Sequence, residues 1–88
     1  MVLEEVFVAN PTVQNALPLA NEYYRRGEYA QSAHFSRWIL QHEPNSEKAL
    51  YQLGEAYLKL GNLHDAKRSF QKASGLTHTK HNALAVVP

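Results

Sequence analysis

Residues 50–70, LYQLGEAYLKLGNLHDAKRSF, carry two glycines, Gly54 and Gly61, inside a stretch whose other residues favour helix. A glycine in a helix interior costs about 1 kcal/mol relative to alanine, so each marks a ligand loop, a turn, or a point where two backbones come close. The surrounding pattern decides between these. Apolar residues fall at Ala49, Leu50, Leu53, Ala56, Tyr57 and Leu60, the three-and-four spacing of an amphipathic helix rather than the alternation of a strand. The spacing predicts a helix from about Ser46 to Leu60, capped by Asn45 or Ser46, with Glu47 in the first turn and Gly61 with Asn62 as its stop.

A second helical pattern, Leu63, Ala66, Phe70 and Ala73, follows at once and is expected to close at Gly75. So short a link makes the two helices antiparallel neighbours, a helical hairpin. The first half repeats the plan. One helix ends at Arg26 before Gly27, and another runs from about Glu28 to Gln41, closed by Glu43, Pro44 and Asn45. Pro18 conflicts with the first of these, because a proline inside a helix loses a hydrogen bond and crowds the preceding turn; a late start near Asn15 or a kink is expected. Strand signals are confined to Val6, Phe7 and Val8, which serve equally as a helical turn with Val2 and Leu3, so residues 1–12 read as a short helix or an extended arm.

A chain of 88 residues makes one domain with a thin core, leaving little room for a deep catalytic pocket. Nine Lys and Arg against eight Asp and Glu leave a formal charge of +1, which implies neither a nucleic-acid nor a membrane partner. The absence of cysteine removes disulfides, thiolate metal sites and a cysteine nucleophile together. Glu4 and Glu5 stand where a secretory signal carries basic residues, and no apolar run approaches the roughly 20 residues of a membrane span, so a soluble cytoplasmic protein is expected.

Residues 13–46 laid over 47–80, an offset of 34, align Leu19 with Leu53, Tyr23 with Tyr57, and Gly27 with Gly61. These identities fall where one helix faces its partner and where the hairpin turns. With Leu50, Leu53, Gly54 and Tyr57, then Ala66 and Phe70, the second unit resembles the tetratricopeptide repeat, whose signature is W-x2-L-G-x2-Y followed by A-x3-F. His78 replaces the closing proline. The first unit is more degenerate: Ala16, Leu19, Ala20 and Tyr23 fit, Ser32 and Ser36 stand where alanine and phenylalanine are usual, and Pro44 restores the end. Phe35, Trp38 and Ile39 must then supply the packing with a shifted geometry. The resemblance implies an all-α fold, a short solenoid of tandem helix-turn-helix hairpins over 13–80, flanked by residues 1–12 and by 81–88. The latter begin a third repeat, and either cap the last apolar face or leave it for another chain to close.

What the resemblance implies for function is a non-catalytic module that holds a peptide or helical segment of a partner protein in a concave groove lined by the first helix of each pair. Carried over position by position, the groove takes Gln14, Leu17, Asn21, Tyr24 and Arg25 from the first unit and Lys48, Tyr51, Gln52, Glu55, Leu58 and Lys59 from the second. Tyr24, Tyr51 and Leu58 offer apolar contact, and the basic residues beside them offer charge. The carboxylate clamp of chaperone-binding members is not expected, since Leu17 replaces its lysine and Glu55, in place of an asparagine, repels a carboxylate. The rival reading is a homo-oligomer, or a small chaperone-like adaptor, whose open repeat ends are completed by another chain.

No cofactor or metal is expected. His78 and His81 are three apart but lack a third ligand, and His34, His42 and His64 fall on polar faces or helix ends. The carboxylates Glu4 with Glu5, Glu43 with Glu47, and Glu55 with Asp65 have no paired nucleophile, and no glycine-rich phosphate loop occurs. Arg25-Arg26 and Lys67-Arg68 read as solvated faces. The glycines thus separate: Gly54 lies where two helices come nearest and Gly61 is a left-handed stop. On this reading Gly54→Ala costs little, Gly54→Leu costs several kcal/mol, and Gly61→Val damages the turn.

Overall fold

The computed structural model of the protein describes residues 2–85, with side chains over 2–76. Five helices follow in order, α1 (Val2–Ala9), α2 (Val13–Arg25), α3 (Tyr29–His42), α4 (Glu47–Leu60) and α5 (Leu63–Ala85), with no strand among the described residues. The fold is all-α, as the spacing requires. α2 pairs with α3 and α4 with α5, α3 packs on α4 to stack the hairpins, and α1 lies along α2.

The 34-residue period reappears in the helix caps. Thr12 Oγ1 accepts the Asn15 amide at 3.2 Å and Ser46 Oγ accepts the Ala49 amide at 3.2 Å, each satisfying a first-turn donor and contributing about 1 kcal/mol. Ser46, rather than Asn45, therefore starts α4. Both hairpin turns end in a glycine at φ 81°. The Gly61 amide donates to Leu58 O at 3.1 Å and the Asn62 amide to Tyr57 O at 2.9 Å; Gly27 and Glu28 donate to Tyr24 O and Tyr23 O at 3.0 and 2.9 Å. Such paired bonds close a helix only when the residue after it is left-handed.

No atom lies within 4 Å of a Cβ built on Gly61, so its constraint is conformational rather than steric. Gly61→Val is expected to cost about 1–2 kcal/mol by forcing a β-branched residue into the left-handed region. Thermal denaturation beside Gly61→Asn, which that region tolerates, checks this: equal melting temperatures for the two variants contradict it.

The core forms two clusters. Ala16, Ile39 and Ala49 are fully buried, with Phe7, Val13, Leu17, Trp38 and Leu40 packed around them. Ala33, Leu53 and Ala56 form the second, against Tyr24, Leu40 and Tyr57. In the first unit the aromatic residues do replace the missing phenylalanine: the Phe35 ring stacks on Tyr23 at 5.7 Å, while Phe7 of α1 meets Phe35 and Trp38 edge-on at 5.4 and 4.9 Å. Residues 2–9 are accordingly a helix held by Phe7, not an extended arm.

Three local expectations need correction. A Cβ on Gly54 would stand 2.7–2.9 Å from three ring atoms of Phe70, so even Gly54→Ala displaces that ring and is not cheap. α5 does not close at Gly75 but runs to Ala85; Gly75 has no positive φ, and a lone glycine weakens a helix by about 1 kcal/mol without ending it. α2 starts at Val13 rather than near Asn15, because the Thr12 cap sets its first turn. Pro18 then sits inside α2 on its exposed face, where the Gln14 carbonyl it leaves unpaired can be met by water. Residues 81–85 continue α5, whereas 86–88 and the side chains of His78, His81 and Leu84 lie outside the described residues, and with them the capping role expected of 81–88.

Candidate functional site

Stacking the hairpins sets α2 beside α4 and leaves a hollow of about 270 Å³ between them, lined by Leu17, Asn21, Lys48, Tyr51, Gln52 and Glu55. The helical period explains the membership. Leu17 and Asn21 are one turn apart on α2, and Lys48, Gln52 and Glu55, with Tyr51 beside them, follow one stripe of α4 at spacings of three and four. Their neighbours Ala16 and Ala49 point the other way into the core, which fixes the rotation of both helices.

The lining is chemically mixed. Leu17 is half-buried and packs on the Ala16, Ile39 and Ala49 cluster, forming an apolar side of the hollow. Tyr51 remains 41% exposed, with its ring centroid 6.1 Å from that of Phe70. Gln52 is half-buried, and its Nε2 donates to the Oγ of the fully buried Ser32 at 3.2 Å, which fixes the carboxamide against α3. Asn21, Lys48 and Glu55 are exposed, the last two contributing opposite charges. Among the described residues the ion pairs are Arg25–Glu22, Arg26–Glu22 and Arg26–Glu28, so neither Lys48 nor Glu55 is tied in one.

The remaining groove candidates lie elsewhere. Tyr24 is half-buried at the seam between the hairpins, edge-on to Tyr29 at 5.2 Å and packed on the Ala33, Leu53 and Ala56 cluster. Arg25 is exposed near the end of α2, its Nη1 at 3.3 Å from Glu22. Leu58 is 48% exposed and Lys59 exposed, both beyond the hollow on the last turn of α4; Lys59 continues the Gln52 and Glu55 stripe one turn further. Gln14 is exposed on the first turn of α2.

Among the described residues no group of three His, Asp or Glu side chains is placed to hold a metal ion, and no helix is long and apolar enough to cross a membrane. The hollow offers one aromatic ring, two carboxamides, an amine and a carboxylate on rigid helices. That set can hold a chain by contact and hydrogen bonding.

Residues 1–73 match the model of the family described as anaphase-promoting complex, cyclosome, subunit 3. No curated protein matches the chain. The match takes in α1 through α4 and the first half of α5, and so covers the hollow and both hairpin turns. Repeats of this tetratricopeptide-like kind serve in protein–protein interaction and are typically non-catalytic. With its paired glycine turns, paired caps and stacked hairpins, the chain belongs to the anaphase-promoting complex, cyclosome, subunit 3 family, a family of tetratricopeptide-like repeats.

Proposed function

We propose that the protein is a docking module that holds an extended or helical segment of a partner protein in the hollow between α2 and α4. The observation that carries this reading is the Tyr51 ring, exposed on a rigid helix beside the carboxamides of Asn21 and Gln52. An aromatic side chain gives contact area at small entropic cost, and a carboxamide both donates to and accepts from a peptide bond. Lys48 and Glu55 at the rim select the charge pattern of the segment, and Glu55 disfavours a carboxylate beside it. The family description, which names a subunit of a complex, supports a role within a larger assembly.

The test is titration of a partner segment, recovered by crosslinking to the full chain, into Tyr51→Ala, Asn21→Ala and Glu55→Lys. Affinity is expected to fall about tenfold in Tyr51→Ala, roughly 1.4 kcal/mol, with a smaller loss in Asn21→Ala. Glu55→Lys, at an exposed position, separates binding from folding: if all three bind as the parent does, the hollow is not the site.

A second reading, self-association, is favoured by Val2, Val6 and Val8 on α1, which are 71%, 42% and 77% exposed. Light scattering over a range of concentrations distinguishes it, a monomer throughout excluding it.

A further inference from the structure

A second depression lies on the opposite side of α4, where α4 meets α5. It is an open depression of about 420 Å³. Leu50, Leu53 and Tyr57 form its floor, and Asp65, Arg68 and Lys72 of α5 line its wall. Cations outnumber the carboxylate there. From α3, Arg37 adds another, its Nη1 donating to the Tyr57 hydroxyl at 3.4 Å. Among the described residues none of these cations is held in an ion pair.

The repeat explains why this cleft is open. Thirty-four residues earlier, the corresponding position is filled by the protein itself, with Phe35 stacked on Tyr23 and Phe7 edge-on to Phe35 and Trp38. Thirty-four residues on from Phe35 and Trp38, the second unit carries Ser69 and Lys72, and the same offset from Phe7 of α1 falls on Gln41 near the end of α3. Two aromatic side chains are thus replaced in the cleft by polar ones, and Tyr57, the counterpart of Tyr23, has no ring stacked on it among the described residues. Leu50 and Leu53, 4% and 6% exposed, and the half-buried Tyr57 thus lie beneath a basic wall with no aromatic ring of the described residues laid over Tyr57.

We infer that this outer cleft is a docking site, distinct from the hollow between α2 and α4, for an acidic helical segment of a partner protein. The segment seats one aromatic side chain on Leu50, Leu53 and Tyr57 and sets carboxylates against Arg68 and Lys72. The ring reproduces what Phe35 and Trp38 do in the first unit, and the carboxylates match the charge of the wall. Asp65 at one end sets the orientation by repelling an acid placed there.

The test uses the full chain and a fluorescein-labelled helical peptide of roughly 15 residues, with one Trp and a Glu one turn to either side. Two companion peptides carry Lys for Glu, or Ala for Trp. The acidic Trp peptide is expected to bind with an affinity that falls as salt rises, and each companion to bind at least about tenfold more weakly. Arg68→Glu, an exposed charge reversal, and Ser69→Phe with Lys72→Trp, which transplants the first unit's aromatics, should each lower affinity by about tenfold or more. Glu55→Lys and Asn21→Ala, in the other hollow, should leave it unchanged. No saturation up to about 1 mM, equal binding of acidic and basic peptides, or sensitivity to Glu55→Lys but not Arg68→Glu would each overturn the assignment. Should the aromatic transplant misfold, Arg68→Glu alone decides.

Discussion

Gly54→Ala lowers the melting temperature by about 4–8 °C, the shift expected of roughly 1 kcal/mol in a domain of this size. Two opposing effects set this value. Alanine gains about 1 kcal/mol of helix propensity over glycine, but its methyl would stand 2.7–2.9 Å from the Phe70 ring, and overpacking of that kind costs about 1–3 kcal/mol. Steric displacement wins because three atoms of one rigid ring, rather than a single terminal atom, must move together to make room for the methyl. Gly54→Leu is expected to cost several kcal/mol for the same reason. The first unit shows the compensating solution: at the counterpart positions stand Ala20 and Ser36, both fully buried.

A double-mutant cycle therefore has a defined sign. Phe70→Ser alone destabilises by about 3 kcal/mol through the cavity it leaves. In that background Gly54→Ala stabilises by about 1 kcal/mol, since the propensity term acts unopposed. Chemical denaturation of the four proteins measures the coupling. A Gly54→Ala effect of the same sign in both backgrounds would show that the glycine is not kept for Phe70.

Phe7→Ala is expected to cost about 3 kcal/mol and to release α1. Each edge-on contact, with Phe35 at 5.4 Å and Trp38 at 4.9 Å, is worth about 0.5–1.5 kcal/mol beyond the area buried. α1 has only 8 residues, and an isolated helix shorter than about 12 residues is marginal in water, so its order depends on this ring. Hydrogen exchange resolves the local effect: α1 amides should lose protection, while those of α4 change little. Retained protection in α1 would place its anchor elsewhere.

The parts of the fold legible in the amino-acid pattern are those decided by local chemistry. Gly27 and Gly61 announce their turns because a left-handed residue is a local requirement, and Thr12 and Ser46 cap helices with their own hydroxyls. Asn21, Lys48, Tyr51, Gln52 and Glu55 meet in one hollow because helical spacing gathers each set on one stripe of its helix and the stacking of hairpins that the repeat resemblance implies sets α2 beside α4. What escapes such reading depends on distant partners. Whether residues 2–9 are helix or arm is decided by Phe35 and Trp38, and the clash facing Gly54→Ala by the ring position of Phe70.

Tyr24 illustrates the same limit within the site. Its position in the repeat is that of a groove residue, yet the Ala33, Leu53 and Ala56 cluster and the Tyr29 ring draw it into the seam between the hairpins. The outer cleft had a signal that only the repeat alignment makes visible, with Ser69 and Lys72 standing where Phe35 and Trp38 stand earlier. Degeneracy between repeats is informative here: the first unit lays Phe35 over Tyr23, and the second leaves Tyr57 without a stacked ring among the described residues.

The central claim, that a partner segment is held between α2 and α4, is tested most directly by the amide resonances of the isotopically labelled full chain during titration with that segment. Perturbations concentrated at Asn21, Lys48, Tyr51, Gln52 and Glu55, and lost in Tyr51→Ala, are the predicted result. Perturbations that leave these residues unmoved while shifting only α1, or only Arg68 and Lys72, would contradict it.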